Sequence, residues 1–281
     1  MNPAVEDQAL ATLADQLAEA ERNGRTMLPP RDAVPGLTLE QAYRVQKANM
    51  SRRVGRLPHL NAVVPTQRDH APVVVGHKVG VTSKAVQQWL GFDQPDFGVL
   101  LDSMRIPAGV SCPGGTLLQA RIEAEIAFVM RESLPTQGCT PADVLRATAF
   151  VLPALEVIDS RVADWNLTIV DTIADNASSA YFTLGLTPVS PLGLDMRLLG
   201  MTMLRNGEVV ATGAGAACLG HPAEAVAWLA RTLGAAGTRI ESGHIVLSGA
   251  MGPVVPFLPG DHVEARVSGV GTVSLAREAN R

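Results

Sequence analysis

Residues 121–130, RIEAEIAFVM, place two glutamates inside an otherwise largely apolar segment. The even-numbered positions from 122 to 128 are all apolar, and this alternation predicts a β-strand. Side chains two positions apart leave a strand on the same face, about 7 Å apart, so Glu123 and Glu125 project together. Two buried carboxylates repel each other and lose hydration, and a divalent cation that prefers oxygen ligands relieves both costs.

A third glutamate lies in a second apolar segment. Residues 151–158, VLPALEVI, carry Glu156 as their one charged side chain. Glutamates are almost never fully buried without a partner, so Glu156 requires a cation, an arginine or a proton. We expect Glu156 to share one ion with Glu123 and Glu125. The alternative for that pair is the solvated face of an edge strand.

Composition excludes several classes of function. The chain has 281 residues, 47% hydrophobic and 18% charged, which is enough for one large domain or two small ones. A net charge of −4 and 4% aromatic residues argue against nucleic-acid binding. No secretion signal or apolar run of membrane-spanning length is visible, so no membrane association is expected. Three cysteines without metal-ligand spacing, Cys112, Cys139 and Cys218, predict a reduced, cytoplasmic setting.

The N-terminal quarter differs from the remainder. Apolar residues at helical spacing predict helices over residues 5–21 and 38–53, the second with a capping box at its start. An irregular, proline-bearing segment follows at 55–72. We therefore expect an N-terminal helical segment, 1–72, that packs on a catalytic β-rich domain, 73–281.

Two charged residues near the start of that domain have alternative roles. Residues 73–81 predict a strand with Lys78 among apolar neighbours. Most such lysines extend to solvent, but one held in a cleft gives a fixed positive charge for an anionic substrate. Residues 91–98 predict a turn-rich loop containing Asp96, which either forms a turn with its own backbone or acts in catalysis.

The rest of the chain predicts one possible anion site and several ordinary elements. Residues 171–179 are dense in small polar groups and predict a loop entering a helix N-terminus, where backbone N–H groups bind anions. Ordinary capping is an equal alternative. The pair Asn206 and Gly207 predicts a hairpin turn. We expect further strands at 199–204, 208–211, 245–247, 263–267 and 272–275. We also expect a helix that begins at 221–224.

Six motifs in order resemble one enzyme family. They are GHKVGVTSKAVQ (76–87), DQPDFG (93–98), RIEAEIA (121–127), PALEVIDSR (153–161), DTIADNAS (171–178) and GAGAACLGHP (213–222). The chain resembles the 2-hydroxypenta-2,4-dienoate (2-keto-4-pentenoate) hydratases within the fumarylacetoacetate hydrolase superfamily. One departure is the segment 55–75, which is longer than this resemblance implies.

The resemblance implies an α+β fold, a mixed β-sheet roll or barrel with flanking helices and an N-terminal helical segment, in a homo-oligomer. It implies one Mg²⁺ or Mn²⁺ ion held by Glu123, Glu125 and Glu156, with Asp159 as the substitute for the third ligand. The other expected roles are Lys78 as the partner of substrate oxygens, Asp96 as a proton shuttle or water-positioning group, and His77, Asn176 and Ser178 as substrate contacts.

The implied activity is a hydro-lyase reaction in the meta-cleavage degradation of aromatic compounds. A small 2-hydroxy-dienoate would take up water and give 4-hydroxy-2-oxopentanoate. Decarboxylation of 2-oxo-3-hexenedioate (4-oxalocrotonate) and acylpyruvate hydrolysis are alternatives. The chain is also a candidate for a non-catalytic subunit of such a decarboxylase, and association with a related decarboxylase or a downstream aldolase is possible.

Overall fold

The computed structural model describes residues 3–54, 70–89 and 91–279. Most of the irregular segment predicted at 55–72, and of the long segment 55–75, lies outside these residues. In the described part of the chain, strands form two sheets with helices packed around them, as the expected α+β class requires.

The helices lie at the N-terminus and between strands. They are α1 (Pro3–Asn23), α2 (Pro30–Ala33), α3 (Leu39–Arg53), α4 (Lys84–Trp89), α5 (Pro141–Ala147), α6 (Ile169–Ala174) and α7 (Pro222–Ala235). The capping box predicted for the second long helix is confirmed at α3. The Thr38 hydroxyl accepts from Gln41 N at 3.3 Å, and Gln41 Oε1 accepts from Thr38 N at 2.9 Å.

The strands begin after the N-terminal helices. They are β1 (Val74–Gly80), β2 (Asp96–Leu101), β3 (Arg121–Met130), β4 (Thr148–Ile158), β5 (Ser179–Leu184), β6 (Gly200–Arg205), β7 (Glu208–Ala214), β8 (Ile245–Leu247), β9 (Val255–Pro256), β10 (His262–Val267) and β11 (Gly271–Ala276). The predicted turn between β6 and β7 is confirmed. Asn206 and Gly207 have φ of 55° and 89°, as a type I′ turn requires.

The larger sheet curls into a roll. Its strand order is β2-β1-β8-β3-β4-β5, with β9 beside β3. The β1–β8 pair is parallel and the other pairs are antiparallel, so the sheet is mixed. Just after β2, Ile106 N donates to the Phe182 carbonyl of β5 at 2.8 Å, which brings the two ends of the strand order together. The predicted roll is therefore confirmed.

The two faces of this curled sheet carry different side chains. The outer face of β3 and β4 contributes residues such as Ile122, Phe128 and Leu155 to the main hydrophobic core, which also includes α7 and the smaller sheet. The inner face carries Glu123, Glu125 and Glu156. Beside these glutamates it carries a second apolar cluster, which includes Leu152, Ala154 and Phe182. The roll therefore encloses its charged groups beside apolar surface.

The N-terminal helices pack on the short helix α6 and, through α3, on strand β2, where Tyr43 stacks on Phe97. Leu10, Leu13 and Leu17 of α1 are buried in a cluster that includes Ile169 and Ile173 of α6. The domain division at 72/73 stays a prediction. Among the described helices, none combines the length and apolar character that a membrane crossing requires.

Two local predictions were wrong. Asp96 opens strand β2 and does not lie in the predicted loop, because Gly80 of β1 pairs with it. Residues 171–179 do not lead into a helix. The helix α6 is already formed at Ile169, where Thr168 and Asp171 make a capping box, and it is followed by a turn at Asn176–Ser178 and then by β5. The helix therefore ends where a helix start was predicted.

Candidate metal centre and active site

Three glutamates meet on the inner face of the roll. Glu123 and Glu125 extend from β3, and Glu156 of β4 lies directly opposite Glu123 in the antiparallel register. One carboxylate oxygen from each residue lies within 4.8 Å of the other two. The i, i+2 spacing and the cross-strand pairing together place all three on one face.

Burial leaves half of these six oxygens without hydrogen bonds. Glu125 and Glu156 are fully buried. Among the described residues, Glu125 Oε1 and both oxygens of Glu156 have no hydrogen-bond partner, while Glu125 Oε2 accepts from Gly249 N at 2.6 Å. Buried carboxylate oxygens without donors are expensive, and converging hard oxygens suit a divalent cation such as Mg²⁺ or Mn²⁺. The residues present therefore fit a metal ion.

The electrostatics of the cluster lead to the same requirement. Burial, reinforced by repulsion from Glu156, raises the pKa of Glu123 to about 8. Burial and the charges of Glu156 and Glu123 raise the pKa of Glu125 well above its ordinary value. Glu123 and Glu125 therefore resist ionisation unless positive charge is added nearby. A divalent cation supplies that charge.

Lys78 is the cation that the chain itself brings to this cluster. Its side chain, on β1, is buried, and Nζ lies 3.5 Å from Glu156 Oε2. Burial alone would lower the pKa of Lys78, but the nearby carboxylates, first Glu156 and then Asp96, outweigh it and raise the pKa above its ordinary value. The ammonium does not extend to solvent. It stays protonated and acts as a fixed positive charge.

Asp96 lies beside Lys78 on the neighbouring strand. The side chain is 1% exposed, and Oδ2 accepts a hydrogen bond from the Thr172 hydroxyl at 3.1 Å. Burial raises the pKa of this carboxyl, and the positive charge of Lys78 partly opposes the shift. A buried carboxyl with a raised pKa beside a fixed cation is a candidate for proton transfer.

His77, predicted as a substrate contact, does not join this cluster. Adjacent residues of a strand point to opposite faces, so His77 points away from the face of Lys78. Its ring lies 6.3 Å from the Phe97 ring and 6.1 Å from the His244 ring, measured between centroids. Burial, with a contribution from His244, lowers the pKa of His77 to about 3. The structure therefore places the ring on the face opposite Lys78, and its role as a substrate contact stays a prediction.

The other predicted polar contacts are engaged within the protein. Asn176 accepts from Val99 N at 2.8 Å and donates to Val99 O at 3.0 Å, so its amide ties the turn after α6 to β2, and its role as a substrate contact stays a prediction. The Ser178 hydroxyl donates to Asp175 at 3.1 Å. The substitute ligand, Asp159, accepts from two backbone N–H groups of residues 118–119 and does not belong to the glutamate cluster.

The structure also adds residues that the sequence reading did not single out. Gly249 donates its N–H to Glu125, and its φ of 96° favours glycine. Thr172 contacts Asp96, and the buried Gln46 of α3 bonds the backbone beside both of them. Gln46 lies four residues after Ala42 and four before Met50, on the apolar side of the predicted helix, and this position is the sequence signal that would have identified it.

Comparison with known proteins identifies the family. Residues 77–275 match the family model described as fumarylacetoacetate (FAA) hydrolase C-terminal. The match covers more than half of the chain, which therefore belongs to this family.

Relatives are similar over nearly the full length. The chain is 46% identical to the 2-keto-4-pentenoate hydratase of Paraburkholderia xenovorans (strain LB400) over 270 residues, covering 95% of this chain and 94% of that protein. It is 43% identical to the 2-hydroxyhexa-2,4-dienoate hydratase of Comamonas testosteroni, covering 95% and 97%.

A solved structure has the same fold. The 4-oxalocrotonate decarboxylase of Pseudomonas putida G7, in complex with magnesium and adipate, aligns with a TM-score of 0.85 at 36% identity, covering 96% of this chain and 97% of that one. The magnesium in that protein supports a divalent metal in this family, in agreement with the fit of the three glutamates here.

Proposed function

We propose that this chain is a metal-dependent hydro-lyase that adds water to 2-hydroxypenta-2,4-dienoate or a substituted analogue and forms 4-hydroxy-2-oxopentanoate or its homologue. The observation that carries the proposal is the buried inner-face cluster of three glutamates, a lysine and an aspartate. It occurs in a chain 46% identical to a 2-keto-4-pentenoate hydratase.

The three glutamates would hold one Mg²⁺ or Mn²⁺ ion. Bound there, the ion would supply Lewis-acid stabilisation of negative charge on the oxygens of a 2-oxo acid. Lys78 adds a second positive charge from β1, which attracts the substrate carboxylate and stabilises charge that develops on the C2 oxygen. No covalent nucleophile is needed for this reaction.

Asp96 is the group that would move protons. In the first step the C2 hydroxyl loses its proton and C5 gains one, which converts the dienol into a conjugated 2-oxo-3-enoate. In the second step water adds across C3 and C4, with the hydroxyl on C4 and the proton on C3. The raised pKa of Asp96 lets it both accept and donate a proton in this sequence, help typically worth about 10²–10⁴-fold.

Decarboxylation of 4-oxalocrotonate is the second candidate. It is favoured by the TM-score of 0.85 to a decarboxylase of that name, but the identity to that protein is 36%, against 46% for a hydratase. The reaction would use the same cation site and release CO₂ from a substrate with a second carboxylate. The sequence likeness therefore ranks hydration first.

A substrate panel tests the proposal directly. The purified chain, with Mg²⁺ or Mn²⁺, is mixed with 2-hydroxypenta-2,4-dienoate, its C5-substituted analogues and 4-oxalocrotonate, while dienoate absorbance and CO₂ are followed. We expect absorbance loss without CO₂, abolished by a chelator and restored by metal. CO₂ release would favour the decarboxylase. Inactivity of the chain alone, with activity only beside a decarboxylase, would favour the non-catalytic subunit.

We also propose a cytoplasmic homo-oligomer as the working form. The three cysteines are buried and free, which fits a reducing compartment. Light scattering on the purified chain measures the subunit number, and co-purification with a related decarboxylase or the downstream aldolase tests for further partners.

A further inference from the structure

The Asp96 carboxyl is held at one oxygen and open at the other. Oδ2 accepts from Thr172 Oγ1 at 3.1 Å, whereas Oδ1 has no hydrogen-bond partner among the described residues. Oδ1 lies over Gly80, 2.2 Å from the position that a Cβ would occupy there, and Lys78 Nζ lies 3.4 Å from the same position. The free oxygen is therefore the one turned toward the charged cluster.

Thr172 is itself held in place by its own element. It lies in α6, whose first turn carries a capping box in which Thr168 N donates to Asp171 Oδ2 at 2.8 Å, and the Thr168 hydroxyl donates to the same oxygen at 2.7 Å. Asp171 also forms an ion pair with Arg31 of α2. The short helix is thus anchored at its start, and Thr172 has little freedom to leave Asp96.

Gln46 ties the two partners of this hydrogen bond together from a third element. The side chain is 3% exposed, and its amide nitrogen donates to Phe97 O at 2.8 Å and to Ile173 O at 3.2 Å. Phe97 follows Asp96 on β2, and Ile173 follows Thr172 on α6. One amide of α3 therefore fixes the separation of the two backbones from which the hydroxyl and the carboxyl extend.

We propose that Thr172 and Gln46 are positioning residues for Asp96. Thr172 selects a single orientation of the carboxyl, in which Oδ2 is occupied and Oδ1 exchanges the proton with the substrate, and Gln46 holds β2 and α6 at the spacing this requires. The proposal rests on the proposed function, since it assigns Asp96 the proton transfer. It gives the N-terminal helical segment a part in the reaction beyond packing.

Replacement of Thr172 by valine keeps the shape and removes the hydroxyl. Without the donor the carboxyl rotates and its charged form loses a hydrogen bond, so we expect kcat to fall about tenfold or more. The limb of the kcat–pH profile that reports Asp96 should move to higher pH. Thr172→Ser retains the donor and should restore both. The charged and titratable groups that surround Asp96 are Lys78, Glu123, Glu156 and Tyr43.

Gln46→Leu removes both amide hydrogen bonds while keeping a side chain of similar size. We expect a fall in kcat with little change in KM and an unchanged Kd for Mn²⁺, because the glutamates lie on other strands. Thr183→Val is the matched control for Thr172→Val. Thr183 is a buried threonine whose hydroxyl has no partner in the described structure. It pairs with Leu155 of β4, so its side chain lies on the outer face of the roll, away from the glutamates. Its kcat should equal that of the wild type.

Three results would overturn the positioning roles. They are a kcat and pH profile of Thr172→Val equal to the wild type, failure of Thr172→Ser to restore them in a folded protein, and a Thr183→Val variant as impaired as Thr172→Val. An inactive wild-type chain would instead overturn the proposed function. The ¹³C shift of the Asp96 carboxyl would then still test the contact, because Thr172→Val should raise the pKa of Asp96, and an unchanged titration would contradict the hydrogen bond.

Discussion

At the scale of single residues, the site is a problem of charge balance. Glu123, Glu125 and Glu156 place three acidic groups close together inside the roll. Asp96 adds a fourth acidic group, and Lys78 contributes one positive charge. A cluster of this kind is costly without added cations. Each member can therefore be tested by what its removal does to metal binding and to turnover.

Glu125→Gln should weaken Mg²⁺ or Mn²⁺ binding by about tenfold or more, because a charged ligand becomes a neutral one. Isothermal titration with each metal measures the change. Glu132→Gln, an exposed glutamate just beyond β3, is the matched control and should bind metal as the wild type does. Unchanged affinity in Glu125→Gln would remove this residue from the ligand set.

Lys78→Met should lower kcat by about 10²-fold or more while metal affinity stays the same or increases. The reason is that the variant removes a cation that competes with the metal for Glu156 but that also stabilises the reacting oxygens. Lys84→Met, on α4 and exposed, is the control with the same substitution. Full turnover by Lys78→Met, assayed at saturating metal, would exclude Lys78 from the mechanism.

At the scale of elements, two glycines make room for the charged side chains between β1 and β2. Gly98 lies opposite Lys78, and Gly80 lies opposite Asp96 in the antiparallel register. A Cβ at Gly98 would come within 3.3 Å of Lys78 Cγ and 2.7 Å of the Asn176 carbonyl. The strand pair therefore depends on small residues wherever a functional side chain crosses to its neighbour.

Gly80→Ala should abolish most activity while the protein remains folded. The added Cβ would lie 2.2 Å from Asp96 Oδ1, and a side-chain carboxyl can rotate away at lower cost than backbone can move. The expected result is a kcat reduced by about tenfold or more with a melting temperature near that of the wild type. Gly115→Ala, where nothing lies within 4 Å, is the control, and wild-type kcat in Gly80→Ala would contradict this role for Asp96.

Local patterns in the sequence were sufficient for the elements that carry the glutamates. Alternation in β3 and the capping residues at Thr38 depend on near neighbours in the chain, and both predictions are confirmed. The start of β2 could not be predicted, because it is fixed by pairing with Gly80 on the preceding strand and not by the residues next to Asp96. The surroundings of His77 and Asn176 could not be predicted either, since a motif shows residue type but not the face or the partner.

At the scale of the whole molecule, the roll buries two carboxyl groups, Glu123 and Glu125, whose ionised forms are less stable in the folded protein than in the unfolded chain. The pKa of Glu123 rises from 4.5 to about 8, so the stability that this carboxyl contributes is present below pH 4.5 and is lost as the pH rises toward 8. Glu125 shifts in the same direction. Metal binding requires the ionised carboxylates and should reverse this loss.

The melting temperature of the metal-free protein should therefore fall between pH 5 and pH 8, and saturating Mg²⁺ should raise it more at pH 8 than at pH 5. Differential scanning calorimetry at both pH values, with and without a chelator, measures the effect. Glu123→Gln should flatten the fall in the metal-free state. An equal effect of Mg²⁺ at the two pH values would contradict the linkage between the glutamates and the metal.

Anomalous diffraction from crystals grown with Mn²⁺ tests the central claim most directly. We expect one strong anomalous peak per chain, bounded by carboxylate oxygens of Glu123, Glu125 and Glu156. A peak elsewhere, or none while the three carboxylates remain together, would contradict the claim that this inner face of the roll is a metal centre.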